Sequence, residues 1–298
     1  MGRCFIQLVM GPAGSGKSTY CHAIQEHCSL LGKKRGRTVH VANLDPAAEY
    51  FQYDVAFDIQ ELISVADVME ELGLGPNGAL VYCVEYLLDN LDWLKDHLDE
   101  FDNDDEYLIL DLPGQVELYT HIPIMRRIIE QMQMWGYGSS MISVFVVDAT
   151  FVCDTSKFIS GCLLSLSAMI SLELPHVNIL SKCDLVDEET VERILDVESA
   201  NSMWDKEEEM AIDSSEQEAN SKEQGKMTRV SQSRGGRDQR NRLTRAICSI
   251  IDDYSMVSFV PLNIFDEDSL DNVLLHVDQL LGYGEDLEIK ELEENDEE

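Results

Sequence analysis

A lysine and a serine that close a run of spaced glycines are the residues of this chain best suited to handling a polyphosphate. They stand in Gly11-Pro12-Ala13-Gly14-Ser15-Gly16-Lys17-Ser18, which spells G-x-x-x-x-G-K-[ST] and follows directly on the apolar run Phe5 to Met10. A strand that feeds such a turn into a helix N-terminus aims several backbone N–H groups at one spot, and the helix dipole adds positive potential there. Lys17 should reach the β- and γ-phosphates and the Ser18 hydroxyl should ligate Mg²⁺. Thr19 to Leu31 reads as the helix, with Gly32 ending it. A glycine turn without phosphate chemistry is the plainer reading, and the joint register of strand, lysine and serine speaks against it.

Three more segments place chemistry at the end of an apolar run. Thr38 to Ala42 reads as a strand and runs into Asn43-Leu44-Asp45-Pro46-Ala47. Asp45 there could contact a Mg²⁺-bound water or the attacking water, or simply form a turn before proline. Glu106 to Leu110 reads as a buried strand that ends in Asp111-Leu112-Pro113-Gly114-Gln115. Asp111 fits a carboxylate that holds Mg²⁺ through water, and Gly114 lets the backbone approach a γ-phosphate and sense it. Gln115 or Glu117 would then orient water, the plain alternative being an ordinary turn after a strand. His176 to Leu180 leads into Ser181-Lys182-Cys183-Asp184, a near match to N-K-x-D. Asp184 can accept from both N1–H and the N2 amino group of guanine, while the Lys182 stem covers the ring face. Adenine offers neither donor, and each lost charge-assisted bond is typically about 1.5 to 3 kcal/mol, enough for a strong GTP preference. Ser181 in the place of Asn weakens the match, and a helix-start Asp beside a Lys is the plain reading.

The elements that must position these residues suggest an α/β protein, a P-loop NTPase with a mostly parallel sheet and helices on both faces. Ile142 to Val147 is a further buried strand ending at Asp148, and Lys157 to Leu172 reads as the next helix. Asp58 to Glu71 is helix-like, and Gly75-Pro76-Asn77-Gly78 alone reads as a tight turn. From Val84 onward, Leu87, Leu88, Leu91, Leu94 and Leu98 follow helical spacing. Lys33, Lys34, Arg35 and Arg37 read as a short basic turn. Ser199 to Arg245 is charged and nearly free of apolar residues, so it reads as a disordered insertion. Leu243 to Asp252 reads as a helix, Met256 to Val260 as a strand followed by Pro261-Leu262-Asn263 where a last base-contacting backbone would sit, and Leu270 to Leu281 as an amphipathic helix. The expected organisation is one domain over residues 1–284, with 72–101 an inserted loop and helix, 199–242 the charged insertion and 285–298 an acidic tail.

Composition narrows the function classes. The formal net charge of −35 over 298 residues should repel nucleic acid and anionic membranes. The eight cysteines show no C-x-x-C spacing and read as small buried hydrophobes of a reducing compartment. No signal peptide is expected, and no segment reaches the roughly 18 apolar residues of a membrane span. The expectation is a cytoplasmic protein, with shuttling to the nucleus left open.

Taken in order, GPAGSGKS, NLDPA, GPN, DLPGQVELY and SKCD resemble the GPN-loop GTPases, a family of dimeric P-loop GTPases, over nearly the whole ordered chain. LTRAICSIIDDYSMVSFVPLN and GYGEDLE look most like its third eukaryotic paralogue. The resemblance implies that Gly75-Pro76-Asn77 reaches across a two-fold interface, with Asn77 acting in trans near the γ-phosphate. It implies Mg²⁺ and water handling at Asp45, Asp111, Gln115 and Glu117, and base reading at Asp184. It further implies GTP and GDP as ligands and a heterodimer with the first paralogue, a homodimer being the other option. The implied role is in assembly and nuclear delivery of RNA polymerase II, whose subunits would be the client. Arg126 and Arg127 read as surface or dimer residues. Two rival functions remain: a nucleotide-stabilised scaffold with negligible hydrolysis, and a P-loop kinase acting on a small molecule.

Overall fold

The computed structural model describes residues 4–31, 37–101, 106–195, 242, 244–249 and 258–283. The readings made for Gly32, Lys33, Lys34, Arg35, nearly all of the 199–245 insertion, Met256 and the 285–298 tail lie outside them. Seven strands form one parallel sheet: β1 Phe5–Met10, β2 Thr38–Asn43, β3 Val55–Asp58, β4 Glu106–Asp111, β5 Met141–Asp148, β6 His176–Ser181 and β7 Phe259–Pro261, in the order β3-β2-β4-β1-β5-β6-β7. The central strands are largely apolar because both sheet faces are covered, with Gln7, Ser143 and Asn178 as buried polar exceptions. Ile6, Leu8 and Met10 of β1 point into one core with Leu108, Leu110 and Phe145, while Val9 points into the other with Ile109, Val144 and Val146.

The helices divide accordingly. α1 (Lys17–Leu31) contributes Tyr20, Cys21 and Ile24 to the second core. α2 (Val65–Leu72) is capped by the Ser64 hydroxyl and ends at left-handed Gly73. α3 (Pro76–Asp89) and α4 (Leu91–Leu98) bring Leu80, Val84, Leu87, Leu94 and Leu98 to the first core. α5 (Glu117–Thr120), α6 (Ile124–Met132), α7 (Ala149–Val152) and α8 (Thr155–Leu172) cover the same face. α9 (Glu188–Leu195) follows β6, and α10 (Glu267–Leu281) returns to the second core through Leu270, Val273, Leu274 and Val277. Residues 244–249 are helical, within the expected helix.

Four sequence expectations change. Asp58 to Glu71 is not one helix: Asp58 ends the edge strand β3 and caps a 3₁₀ turn over Ile59–Glu61 before α2 begins. Gly75-Pro76-Asn77-Gly78 is a helix start rather than a tight turn, with Gly75 extended and Pro76 in the first helical position, where its missing N–H costs nothing. The helix read from Val84 begins there and breaks at Asn90, whose φ of −122° and ψ of 43° leave the helical region. α8 does reach 18 residues and is apolar enough by composition to cross a membrane. Its Phe158, Ile159, Cys162, Leu166 and Leu172 are buried in the protein core, and such a core helix passes the same count.

At the other end of the sheet, Arg37 is no solvated basic turn. Its guanidinium pairs with Asp278 of α10, 3.0 Å from Nη1 to Oδ1 and closer still through Nη2, and lies 4.3 Å from the Tyr283 ring centre and 5.2 Å from that of Tyr107. None of the eight cysteines is in a disulfide, and six are buried as expected.

Candidate functional site

Parallel register brings the carboxyl ends of the strands to one edge. Val9 lies opposite Asp111, Asn43 opposite Asp111, and Asp148 opposite Ser181, so the loops after β1, β2, β4, β5 and β6 open into a common crevice. The loop after β1 needs its glycines. Gly11, Gly14 and Gly16 have φ of 145°, 78° and 94°, and a Cβ on Gly11 would lie 2.3 Å from the Val146 carbonyl oxygen. The loop feeds α1 at Lys17, two residues earlier than the sequence suggested, so its free N–H groups face the crevice. Lys17 is 8% exposed and donates to the Pro12 carbonyl at 3.3 Å. Burial lowers its pKa, while nearby Asp111 and Asp45 act the other way.

The second corner is a metal-type arrangement. Ser18 Oγ donates to Asp111 Oδ2 at 2.6 Å, and Tyr53 Oη donates to the same oxygen at 3.0 Å. Asp111 is 3% exposed and its Oδ1 is buried without a hydrogen-bond partner. Burial drives its pKa up against the bonds from Ser18 and Tyr53 and the charge of Lys17. A buried carboxylate with one oxygen unmatched is costly, and a hydrated divalent cation is the group that would match it. Hydroxyl and carboxylate therefore fit Mg²⁺. Asp45 turns back on itself, its Oδ1 accepting from Ala47 N at 3.0 Å and its own N–H donating to Asn43 Oδ1 at 3.0 Å. It is half-buried, and burial raises its pKa although Lys17 is near. The turn reading holds, and Asp45 stands near enough to Lys17 for the two charges to act on each other.

Gly114 shows why its position excludes a side chain: a Cβ there would lie 2.9 Å from Ala13 Cα, 3.1 Å from Ala13 N and 3.1 Å from Lys17 Nζ. The loop after β4 lies directly on the phosphate loop. Gln115 is half-buried beside it, and Glu117 is exposed at the start of α5.

The third corner is the loop after β6. Ser181 Oγ is the donor to the Ser15 carbonyl at 2.6 Å and lies 3.1 Å from that of Val147, so this hydroxyl ties the loop to the phosphate loop. Lys182 adopts left-handed backbone geometry (φ 58°), and its Nζ binds the Gly14 carbonyl and Asp148 Oδ2, each at 2.7 Å. Its stem passes over Gly16, with Cε 3.9 Å from where a Cβ would stand. Asp148 is held in turn by Thr150, and although burial works to raise its pKa, the bonds from Lys182 and Thr150 bring it below the ordinary value. Asp184 is exposed in the 3₁₀ turn Cys183–Leu185.

Gly11 to Ser18, Thr19, Gly114, Asp45, Asp111, Ser181 and Lys182 thus belong to one constellation. Among the described residues Asn77 makes no hydrogen bond or ion pair with it; it is exposed in the first turn of α3, a helix packed on α2, α4 and α6. Arg126 is engaged by Glu130 at 2.8 Å and Glu173 at 2.9 Å, in keeping with a surface residue. Sequence reasoning missed Tyr53 and the role of Asp148. Tyr53 carried no motif signal, whereas Asp148 ends an apolar strand like Asp111 and was legible on that ground.

A parallel sheet of this order, with a glycine-rich loop joining its central strand to a helix and a Ser–Asp pair beside a buried lysine, defines a P-loop nucleotide-binding protein. The family model described as "Conserved hypothetical ATP binding protein" matches residues 9–283. A GPN-loop GTPase 3 of Dictyostelium discoideum is 46% identical over 96% of this chain and 90% of its own length. Those of Danio rerio (46%, over 99% and 93%) and Saccharomyces cerevisiae (41%, over 95% and 94%) are similar as well. The solved structure of a GTPase in apo form from Pyrococcus abyssi superimposes with a TM-score of 0.65 at 19% identity, covering 92% of this chain and 96% of that one, which supports the fold. The chain belongs to the GPN-loop GTPase family. Its similarity to members named GPN-loop GTPase 3 agrees with the paralogue its sequence resembles.

Proposed function

We propose that this chain is a GTPase that hydrolyses GTP to GDP and phosphate with Mg²⁺, in a dimer. The observation that carries the reading is the buried Asp111, bonded by Ser18 and Tyr53 with Oδ1 unmatched, beside Lys17. Ser18 and, through water, Asp111 and Asp45 would hold Mg²⁺, which when bound offsets phosphate charge. Lys17 and the loop N–H groups face charge that develops as a water oxygen bonds the γ-phosphorus and the bridging P–O bond breaks. Gln115 or Glu117 orients that water, and Gly114 keeps their loop against the phosphates. The chemistry of Asp184 favours guanine over adenine, so the substrate is GTP although the matching family model is described as ATP-binding. Asn77, exposed and outside its own chain's site, suits a role in the site of a partner.

By resemblance, that partner is the first GPN-loop paralogue or a second copy, and the client is RNA polymerase II, assembled in the cytoplasm and delivered to the nucleus. The formal net charge of −35 suits basic protein partners rather than nucleic acid or an anionic membrane. GTP turnover per chain across a dilution series, with Mg²⁺ and excess ATP, tests the enzyme. A specific rate that climbs with concentration supports a site completed in trans; if GTP binds but turnover stays at zero, the paralogue is added. Turnover still absent with the paralogue favours the scaffold, as does a Lys17→Ala chain that loses GTP yet still assembles and delivers its client. Clear ATP preference would favour the kinase.

A further inference from the structure

Two separate elements hold the Asp111 carboxylate. Ser18 Oγ, on α1, donates to Oδ2 at 2.6 Å, and Tyr53 Oη donates to the same oxygen at 3.0 Å from the segment between β2 and β3. A carboxyl group turns about a soft terminal torsion, so a single donor fixes one oxygen and lets the plane of the group swing. A second donor on that oxygen, reaching it from another element, removes the freedom and leaves Oδ1 buried without a hydrogen-bond partner. A serine hydroxyl has one proton and two lone pairs, so Ser18 can donate to Asp111 and still offer its oxygen to a cation. Tyr53 is itself held in place. Its ring is buried, with its centre 5.6 Å from that of Phe51. Its neighbour Asp54 is gripped by the side-chain amide of Gln25 on α1, which donates to the Asp54 carbonyl at 3.0 Å and accepts from Asp54 N at 2.8 Å. At the start of the same segment, Leu44 N donates to the Asp111 carbonyl at 2.8 Å. The segment thus leaves from the Asp111 backbone and returns to its side chain, and the helix that carries Lys17 and Ser18 clamps the return. A buried phenol needs only an acceptor, and any carbonyl would serve; here the acceptor is the carboxylate with an open oxygen.

We propose that Tyr53, braced by Gln25, is a positioning residue of the cation site, its hydroxyl setting the Asp111 carboxylate so that Oδ1 is the oxygen offered to hydrated Mg²⁺. The inference rests on the reading of Ser18 and Asp111 as the Mg²⁺ residues. Tyr53 acts through Asp111 and touches neither metal nor nucleotide. It therefore sets how tightly the metal is held, and leaves nucleotide binding without metal as it is.

The test titrates Mg²⁺ onto the full chain loaded with a fluorescent GDP analogue and reads the metal concentration that half-slows nucleotide release, with release in EDTA as the metal-free reference. Tyr53→Phe keeps the ring and removes the hydroxyl. Its half-effective Mg²⁺ concentration should rise about tenfold, the scale on which metal affinity falls when a partner of a metal-holding carboxylate is lost. Metal-free release should stay within about twofold of the parent's. Gln25→Ala keeps the hydroxyl and loosens its brace, so it should raise the same concentration about threefold. In an Asp111→Asn background, itself weak for metal, neither substitution should add more than about twofold, because both act through that carboxylate. A Tyr53→Phe chain that holds Mg²⁺ within twofold of the parent, or whose metal-free release quickens about tenfold as well, overturns the positioning; so does an undiminished effect in the Asp111→Asn background. The Mg²⁺ reading then stands as long as Asp111→Asn alone is weakened. If Asp111→Asn responds to Mg²⁺ as the parent does, or the parent shows no response, the Mg²⁺ reading fails and the positioning with it. Should Tyr53→Phe not fold, Gln25→Ala decides, and parent-like Mg²⁺ affinity in it overturns the proposal.

Discussion

Replacing Gly114 by alanine should separate nucleotide binding from turnover. The added Cβ would stand 2.9 Å from Ala13 Cα and 3.1 Å from both Ala13 N and Lys17 Nζ, where ordinary contact begins at 3.4 Å. Lys17 Nζ is the end of a flexible chain and can yield, at the expense of its place on the phosphates. Ala13 is backbone and cannot. The loop after β4 must therefore retreat by about 0.5 Å or more, the difference between 3.4 and 2.9 Å. Misplacing a reacting group by about 1 Å can cost roughly 100-fold, so a shift of half that size should cost about tenfold, with more if Lys17 also moves. In the proposed reading GDP is held by the loop after β1 and the base loops, so a retreat of the loop after β4 leaves its contacts in place. The assay is single-turnover GTP hydrolysis, run with and without the proposed partner chain, beside GDP affinity and a thermal melt. Expected are turnover lowered at least about tenfold, GDP affinity within about twofold and an unchanged melt. Wild-type turnover would refute the idea that close approach of this loop matters. Lost GDP binding would refute the separation.

Three further outcomes follow from the geometry. Arg37→Ala removes the guanidinium paired with Asp278, and breaking a buried pair costs about 3 to 5 kcal/mol, so the melting midpoint should drop by about 10 °C; calorimetry should show part of this recovered in Arg37→Ala/Asp278→Ala. His176 sits between Ser143 and Asn178, and burial lowers its pKa from 6.5 to about 4. The unfolded chain binds this proton near pH 6.5 and the folded one only near 4, so stability present above 6.5 is lost as pH falls through that window, at roughly 1 kcal/mol per pH unit; urea midpoints should show that slope flattened in His176→Gln. Ser181→Ala removes the donor that ties the Ser15 carbonyl to the base loop, so GDP should dissociate about five times faster in a stopped-flow chase, corresponding to about 1 kcal/mol for one hydrogen bond.

The strands were legible because each is a mostly apolar run that stops at a polar motif: β1, β2, β4, β5 and β6 end within a residue or so of where the sequence placed them. The edge strand β3 was not, being four residues long with an irregular pairing to β2; only its last residue, Asp58, was assigned, as the start of a helix. The start of α3 carried a readable sign, proline in a first helical position, but G-P-N-G also fits a turn and local sequence does not choose between them.

What the sequence determined by itself is which residues are candidates for the chemistry, since a phosphate-loop pattern, a strand-end aspartate and a near match to N-K-x-D are each defined by neighbours a few positions away. Tertiary structure alone decided how they meet. Ser18 and Asp111 are 93 residues apart, Ser181 and Ser15 166, and Arg37 and Asp278 241. The order of strands in the sheet brings them together, and that order comes from burying both faces at once under helices drawn from the whole chain. No local pattern encodes it, which is why Tyr53 at Asp111 and Asp148 at Lys182 emerged only from the folded arrangement.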